Sequence, residues 1–175
     1  MKKSQLNLKT AFAILAIISI QVFAYGQELF TSEVGKFSIN FFDVEPQHST
    51  SSVATELGDV MMSTYIYERG ATEAYMVSLV DYPQEKVNEE GSEVLLQGGK
   101  SGALESLGIE KIDLERNLIM NGHPGLSFAA DNGEYYVLYE MFLVNNRLYQ
   151  VAILSVGDYP DRKLSDAFFG SFELR

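Results

Sequence analysis

The sequence contains no cysteine, and this absence removes several kinds of chemistry together. Disulfides, thiolate zinc sites, haem attachment through cysteine, the lipid anchor of a bacterial lipoprotein and a thiol nucleophile all require that side chain. A domain of about 150 residues buries enough surface to be stable without covalent cross-links. We therefore expect packing alone to stabilise the fold.

Positive charge is scarce as well. Lys plus Arg number 13 against 24 acidic residues, and the cations are scattered along the chain. Proteins that bind nucleic acid or anionic lipid neutralise phosphate groups with clustered Lys and Arg side chains. We therefore expect no nucleic-acid partner.

The N-terminus holds an apolar run that is short for a membrane anchor. Lys2 and Lys3 precede the run, which covers residues 11–24 and is interrupted only by Ser19 and Gln21. A membrane-spanning helix needs about 20 apolar residues. Charged, apolar and small residues in this order are typical of a signal peptide.

We predict that residues 1–26 are a signal peptide and that residues 27–175 form a single domain, either periplasmic or secreted. Cleavage after Gly26 is preferred, with cleavage after Ala24 as the alternative. Removing residues 1–26 takes away three lysines and no acid, so the net charge changes from −11 to −14. No stable membrane insertion is expected after cleavage.

Strand-like segments dominate the first half of this domain. Residues 37–41 alternate apolar and polar side chains, which predicts a half-buried strand. Residues 47–52 are polar and predict a loop. Further strands are expected at residues 53–57, 60–67 and 74–82, joined by short turns.

Two helices are expected. The first covers residues 84–107, with a kink or a break at Gly98 and Gly99, because each glycine costs about 1 kcal/mol relative to alanine inside a helix. The second closes the chain, with Asp158 as its cap and Pro160 in its first turn.

The second half of the domain predicts an antiparallel meander. Strands are expected at residues 111–120, 125–130, 135–144 and 148–156. Asn-Gly and Asn-Asn pairs separate them, and these residues tolerate the positive φ angles of tight hairpin turns.

Residues 135–144 are apolar on both alternating faces, and only Glu140 breaks the pattern. Such a strand lies in the middle of a sheet that is covered on both faces. We therefore predict an α+β fold in which a central antiparallel sheet has helices on both faces. The core between the sheet and the closing helix is expected to contain Leu138, Phe142, Val151 and Phe168.

Five short motifs span nearly the whole predicted domain. They are GKFSINF at 35–41, DYP at 81–83, GHPG at 122–125, NRLYQV at 146–151 and FFGSF at 168–172. Together they resemble the exported PsbP-like proteins, a superfamily that includes the extrinsic PsbP subunit of photosystem II. The resemblance implies an α/β/α sandwich and supplies no catalytic residue. The chain departs from the family pattern at residues 42–46, where FDVEP replaces the usual Phe-Pro end of the first strand.

Three patterns suggest chemistry but lack the partners that it needs. The run GKS at residues 99–101 ends like a phosphate-binding loop, but Val94 stands where that loop requires glycine. His48 and His123 lie in polar segments, without the other ligands of a zinc site or the carboxylate that orients a catalytic histidine. We therefore predict no catalytic, cofactor-binding or metal-binding residue.

Three groups of acids lack the spacing of a calcium loop, which alternates acids and has glycine at its sixth position. We expect them at a helix N-terminus, in a turn and at a helix cap, with an adventitious cation site as the alternative. In chain order these groups are Glu89, Glu90 and Glu93; Asp131 and Glu134; and Asp158 and Asp161.

Nine tyrosines follow residue 26. We expect them at the margins of the core, where cross-strand aromatic pairs are common, with a binding interface as the alternative. They are Tyr65, Tyr67, Tyr75, Tyr82, Tyr135, Tyr136, Tyr139, Tyr149 and Tyr159.

These observations favour a non-enzymatic binding or assembly module whose partner is an envelope or extracellular protein. The alternative is a small-molecule binding protein with a pocket between sheet and helix. An enzyme ranks third because the sequence has no nucleophile, metal or cofactor motif.

Overall fold

The computed structural model describes residues 28–55 and 58–175. The predicted signal peptide and both of its cleavage positions lie outside the described residues. Strands hold 53% of the described residues and helices 21%, so the fold is mostly β.

Ten strands and three helices make up the described chain. In order they are β1 (Phe30–Ser32), β2 (Phe37–Ile39), β3 (Gln47–Thr55), β4 (Gly58–Arg69), β5 (Glu73–Asp81), α1 (Gln84–Glu90), α2 (Ser92–Ser106), β6 (Lys111–Met120), β7 (His123–Asp131), β8 (Tyr135–Val144), β9 (Arg147–Val156), α3 (Arg162–Gly170) and β10 (Glu173–Leu174).

Seven of the strands form one antiparallel sheet in the order β3-β4-β5-β9-β8-β7-β6. The meander predicted for the second half is confirmed as β6 to β9, each strand paired with the next. Asn121 and Asn145 have φ angles of 51° and 56°, the left-handed conformation that the tight turns require. Strand β9 also pairs with β5, which joins the meander to the first half and leaves β3 and β6 at the two edges.

Each face of this sheet packs against a different layer. On the first face, the helix face, Leu95 and Leu96 of α2 join a buried cluster with strand residues such as Phe128 and Met141. On the second face, the small-sheet face, a three-stranded sheet in the order β1-β2-β10 and the short helix α3 cover a cluster that includes Phe168.

The predicted α+β sandwich with helices on both faces is therefore wrong. The two-sided apolar pattern of residues 135–144 correctly required two covers for the sheet. It could not report what the covers are, because a second sheet buries apolar side chains as well as a helix does. Here the second cover is mainly the small sheet, whose Phe37 and Ile39 are fully buried.

Polar contacts attach the small sheet to the large one. The Arg147 guanidinium donates to both carboxylate oxygens of Asp81, at 2.6 and 2.7 Å, and to the carbonyl oxygen of Val34 at 2.9 Å. The Tyr149 hydroxyl donates to the carbonyl oxygen of Gly35 at 2.9 Å. The turn between β1 and β2 is thus fixed over the middle of the large sheet.

The first helix prediction needs correction at its break and the second at its cap. The break falls at Gly91, whose φ of 82° separates α1 from α2, and α2 continues through Gly98 and Gly99. At the closing helix the cap is Asp161, whose Oδ1 accepts a hydrogen bond from the Leu164 N–H at 3.0 Å. The predicted cap, Asp158, instead accepts from the next backbone N–H.

The core prediction is mostly confirmed. Phe142, Val151 and Phe168 belong to the cluster on the small-sheet face, whereas Leu138 is only half-buried. Five of the tyrosines are buried in the core and the other four are half-buried, as the core-margin prediction expected. The buried ones are Tyr65, Tyr75, Tyr82, Tyr139 and Tyr149.

Candidate functional site

His48 lies on strand β3 and not in the loop that the sequence predicted. Its Nε2 is 2.7 Å from Oγ of Ser63 on β4, and its ring stacks on Tyr65 with 4.4 Å between centroids. The Tyr65 hydroxyl in turn lies 2.8 Å from Oγ of Ser32 at the end of β1. These contacts hold the exposed imidazole flat against the small-sheet face of β4.

A serine hydroxyl beside an imidazole is the first half of a nucleophilic pair. Such a pair also needs a group that orients the imidazole and donors that stabilise an oxyanion. No hydrogen bond joins His48 to a carboxylate among the described residues. The contact with Ser63 therefore orients a side chain at the sheet edge and supplies no complete catalytic arrangement.

The other sequence candidates, His123 and Lys100, both lie inside regular elements. His123 is the first residue of β7, half-buried beside the turn that precedes it. Lys100 lies inside α2, and its Nζ is 2.9 Å from both carboxylate oxygens of Glu115 on β6. The Lys100 ammonium lowers the pKa of the Glu115 carboxyl. The run that resembles a phosphate-binding loop thus attaches a helix to the sheet.

Two aspartates come together at the end of the sheet. A hydrogen bond of 2.7 Å runs from the Tyr159 hydroxyl to Oδ2 of Asp113, and Asp131 lies beside Asp113 on the next strand. The pKa of Asp113 is lowered mainly by the hydrogen bond from Tyr159 and secondly by the one shared with Asp131. The pKa of Tyr159 is raised mainly by burial and secondly by its hydrogen bond to Asp113. In residues 28–55 and 58–175, no three His, Asp or Glu side chains form a group that could hold a metal ion.

Glu140 is the one break that the sequence showed in β8, and it lies on the small-sheet face. Its Oε1 is 3.8 Å from Nη2 of Arg116, and its side chain is 19% exposed. Burial raises the pKa of the Glu140 carboxyl, and the Arg116 guanidinium offsets part of that rise. This loosely paired, half-buried carboxylate is therefore an energetic cost to the fold.

Two clefts on the surface of the described chain lie beside its helices. One, of about 450 Å³, lies beside α3 and is lined by residues that include Leu29 and Ala167. The other, of about 430 Å³, lies at the end of α2 beside Leu104 and Ile109. Both are open to solvent, unlike the enclosed apolar pocket that a small-molecule binding protein typically has.

The two edges of the large sheet differ sharply in their protection. Strand β6 carries Lys111, Asp113, Glu115 and Arg116, and its pairing with β7 shifts register between residues 112 and 114. Charged side chains and irregular pairing are devices that prevent an edge strand from pairing with another chain. Strand β6 is therefore a guarded edge.

Strand β3 has none of these devices. Residues 47–55 read QHSTSSVAT, with no charged residue, no proline and no glycine. All nine residues pair in continuous register with β4 on one side. Among the described residues, no strand lies on the other side. Its side chains from 47 to 52 are exposed on both faces.

This outer edge of β3 is the candidate functional site. An edge strand presents a row of backbone N–H and C=O groups, and an extended segment of another chain can bond to that row. Sequence reasoning missed the site because it placed residues 47–52 in a loop. The absence of charge from a nine-residue run in an acidic chain was the available signal.

No protein-family model matches this sequence, and no curated protein matches it. The resemblance to PsbP-like proteins therefore stays a prediction. None of the helices in the described part of the chain is long and apolar enough to cross a membrane.

Proposed function

We propose that this chain is an exported, non-enzymatic binding or assembly module that engages a protein partner through the outer edge of β3. The observation that carries the proposal is the difference between the two edges of the large sheet. Strand β6 is charged and irregular, whereas β3 is uncharged and regular, and the side chains of its residues 47–52 are exposed.

Strand addition at β3 has a clear physical basis. Backbone hydrogen bonds from the edge supply affinity, and side chains that alternate along the added strand supply specificity. An added strand meets His48, Thr50 and Ser52 on the small-sheet face and Ser49 and Ser51 on the helix face. Four of these five side chains are short and carry a hydroxyl group, and all five are exposed.

Export has support that is separate from the β3 edge, and the PsbP-like resemblance adds no support to the binding proposal. Export rests on the charged, apolar and small residues of positions 1–26. The α/β/α sandwich that the resemblance implies is not the fold observed. The binding proposal therefore depends on the β3 edge alone, and the open clefts give no specific observation in favour of the small-molecule alternative.

Site-specific photo-cross-linking in producing cells tests the proposal. A photoreactive amino acid replaces Ser51 in the middle of β3 or, as the matched control, Asn117 on the guarded edge β6; both positions are exposed. We expect a covalent protein adduct from position 51 and none from position 117. Thermal melts of the two variants check that both fold.

The adduct pattern decides the outcome. Adduct formation at position 51 and not at position 117 supports the β3 edge as the binding surface. Equal yields at both positions indicate random collisions and contradict the proposal, as does the absence of any adduct at position 51. The same experiment reports export, because the mass of the chain that has not cross-linked shows whether residues 1–26 are still attached.

A further inference from the structure

We infer that the partner at this edge is a second copy of the chain, paired antiparallel through β3 about a two-fold axis at Ser51. This inference rests on the proposed function and names its partner. Residues 48–54 of one copy lie along residues 54–48 of the other, and the two seven-stranded sheets become one continuous sheet. The arrangement is isologous, so each copy contributes the same surface.

The distribution of charge favours a second copy over a foreign partner. Residues 28–175 keep all 24 acids and lose three lysines, so each copy carries a net charge of −14. A partner selected by charge would be basic and would need acids at the contact. Strand β3 has none, so pairing there gains nothing from the charge of the chain. An uncharged strand of the same composition can pair with this edge without repulsion between charged side chains.

The pairs created by this register are compatible with a sheet. Ser51 lies opposite itself, Thr50 opposite Ser52, and Ser49 opposite Val53. Small hydroxyl and β-branched side chains are favourable or neutral cross-strand partners, and no like charges are brought together. His48 lies opposite Ala54, the smallest side chain of the strand, so its ring keeps its place on Tyr65.

The same pairing also ends the assembly at two copies. It uses the β3 edge of each chain and leaves β6 at both ends of the joined sheet. The charged residues of β6 and its register shift oppose a third copy. A closed dimer follows, and not an open fibre.

The absence of cysteine makes a register test possible. Directly opposed residues of an antiparallel pair have Cα atoms about 4.5–5.5 Å apart, within the range of about 4.4–6.8 Å that a disulfide needs. Ser51→Cys should therefore cross-link two copies under mild oxidation. Ser49→Cys should not, because four residues at about 3.4 Å each separate the two thiols along the strands. A mixture of the Ser49→Cys chain and the Val53→Cys chain should cross-link, because residues 49 and 53 lie opposite each other in this register.

Light scattering of the purified chain, with residues 1–26 removed, measures the association without cysteine. We expect a dimer that dissociates on dilution and strengthens when salt rises from low to physiological concentration, because salt screens the repulsion between two acidic copies. Ser51→Lys places two lysines opposite each other and should give a monomer, whose melt matches that of the parent at a dilution where the parent is also monomeric. Asn117→Lys on the guarded edge should remain dimeric.

A monomer at all concentrations, or equal cross-linking of Ser49→Cys and Ser51→Cys, overturns the inference. Its failure is distinguishable from failure of the proposed function. If the purified chain is monomeric but the photoreactive residue at position 51 captures a different protein, the β3 edge is still the binding surface. Only the inference that the partner is a second copy is then refuted. If position 51 gives no adduct in cells and the chain is monomeric, both fail.

Discussion

Two adjacent glycines in α2 should respond in opposite ways to the same substitution. A Cβ atom added at Gly98 has no neighbouring heavy atom within 4 Å. A Cβ atom added at Gly99 lies 2.6 Å from Cδ2 of Leu148 and 3.7 Å from Sδ of Met141. Both of those side chains are fully buried, so neither can swing out into solvent.

The magnitudes follow from two opposing effects. Replacing glycine by alanine inside a helix stabilises a protein by about 0.5–1 kcal/mol, chiefly because the unfolded chain loses freedom. Forcing an extra methyl group into a packed core costs about 1–3 kcal/mol. Gly98→Ala should therefore raise the free energy of unfolding by about 0.5–1 kcal/mol. Gly99→Ala should lower it by up to about 2 kcal/mol, the net of the two effects.

Urea titrations of the two variants and the parent chain measure this difference. Equal slopes of unfolding free energy against urea would show that the midpoints report stability alone. Equal stabilisation by both substitutions would refute the close approach of α2 to β9. It would then place Gly99 in the same open environment as Gly98.

Three further predictions concern single side chains. Phe142→Ala should lower the free energy of unfolding, measured in urea, by about 3–5 kcal/mol. The Phe142 ring is 2% exposed and stacks on the Phe172 ring with 6.1 Å between centroids. A loss below about 1 kcal/mol would contradict the place of Phe142 in the core. Glu140→Gln should raise the urea midpoint at pH 7. The raised pKa means that the folded state disfavours the charged carboxyl, and the gain should vanish below the usual glutamate pKa of about 4.3, where Glu140 is protonated in both states. A lower midpoint at pH 7 would show that the contact with Arg116 outweighs burial. Ser38→Ala should leave stability unchanged or raise it by up to about 1 kcal/mol, because Oγ of Ser38 is buried without a hydrogen-bond partner among the described residues; a loss in the melt would reveal a partner.

The meander was predictable because two independent signals agree there. Asn-Gly and Asn-Asn pairs mark the turns, and apolar runs of strand length lie between them. The observed strands β6 to β9 begin and end within two residues of the predicted ones. Glu140 was also visible in the sequence, as the only charged residue of a strand that is otherwise apolar on both faces.

The cover on the small-sheet face was not predictable in the same way. Strands β1 and β10 have three and two residues, too few to show a period. They come from opposite ends of the described chain and meet only because both pair with β2. Pairing at this sequence separation leaves no local signal. The two-sided apolar pattern of β8 was therefore assigned to helices, which do leave one.

The first six residues of β3, 47–52, were missed for a related reason, and the reason bears on what the strand does. Alternation marks a strand only when one face is buried and the other is wet, and residues 47–52 are exposed on both. A solvated polar run of this kind resembles a loop until its pairing with β4 is known. An exposed edge strand that pairs only within its own chain usually carries charged residues or a bulge, as β6 does. A strand that is regular, uncharged and nine residues long is suited to pairing on both of its sides, and no other strand of the described residues lies on its second side.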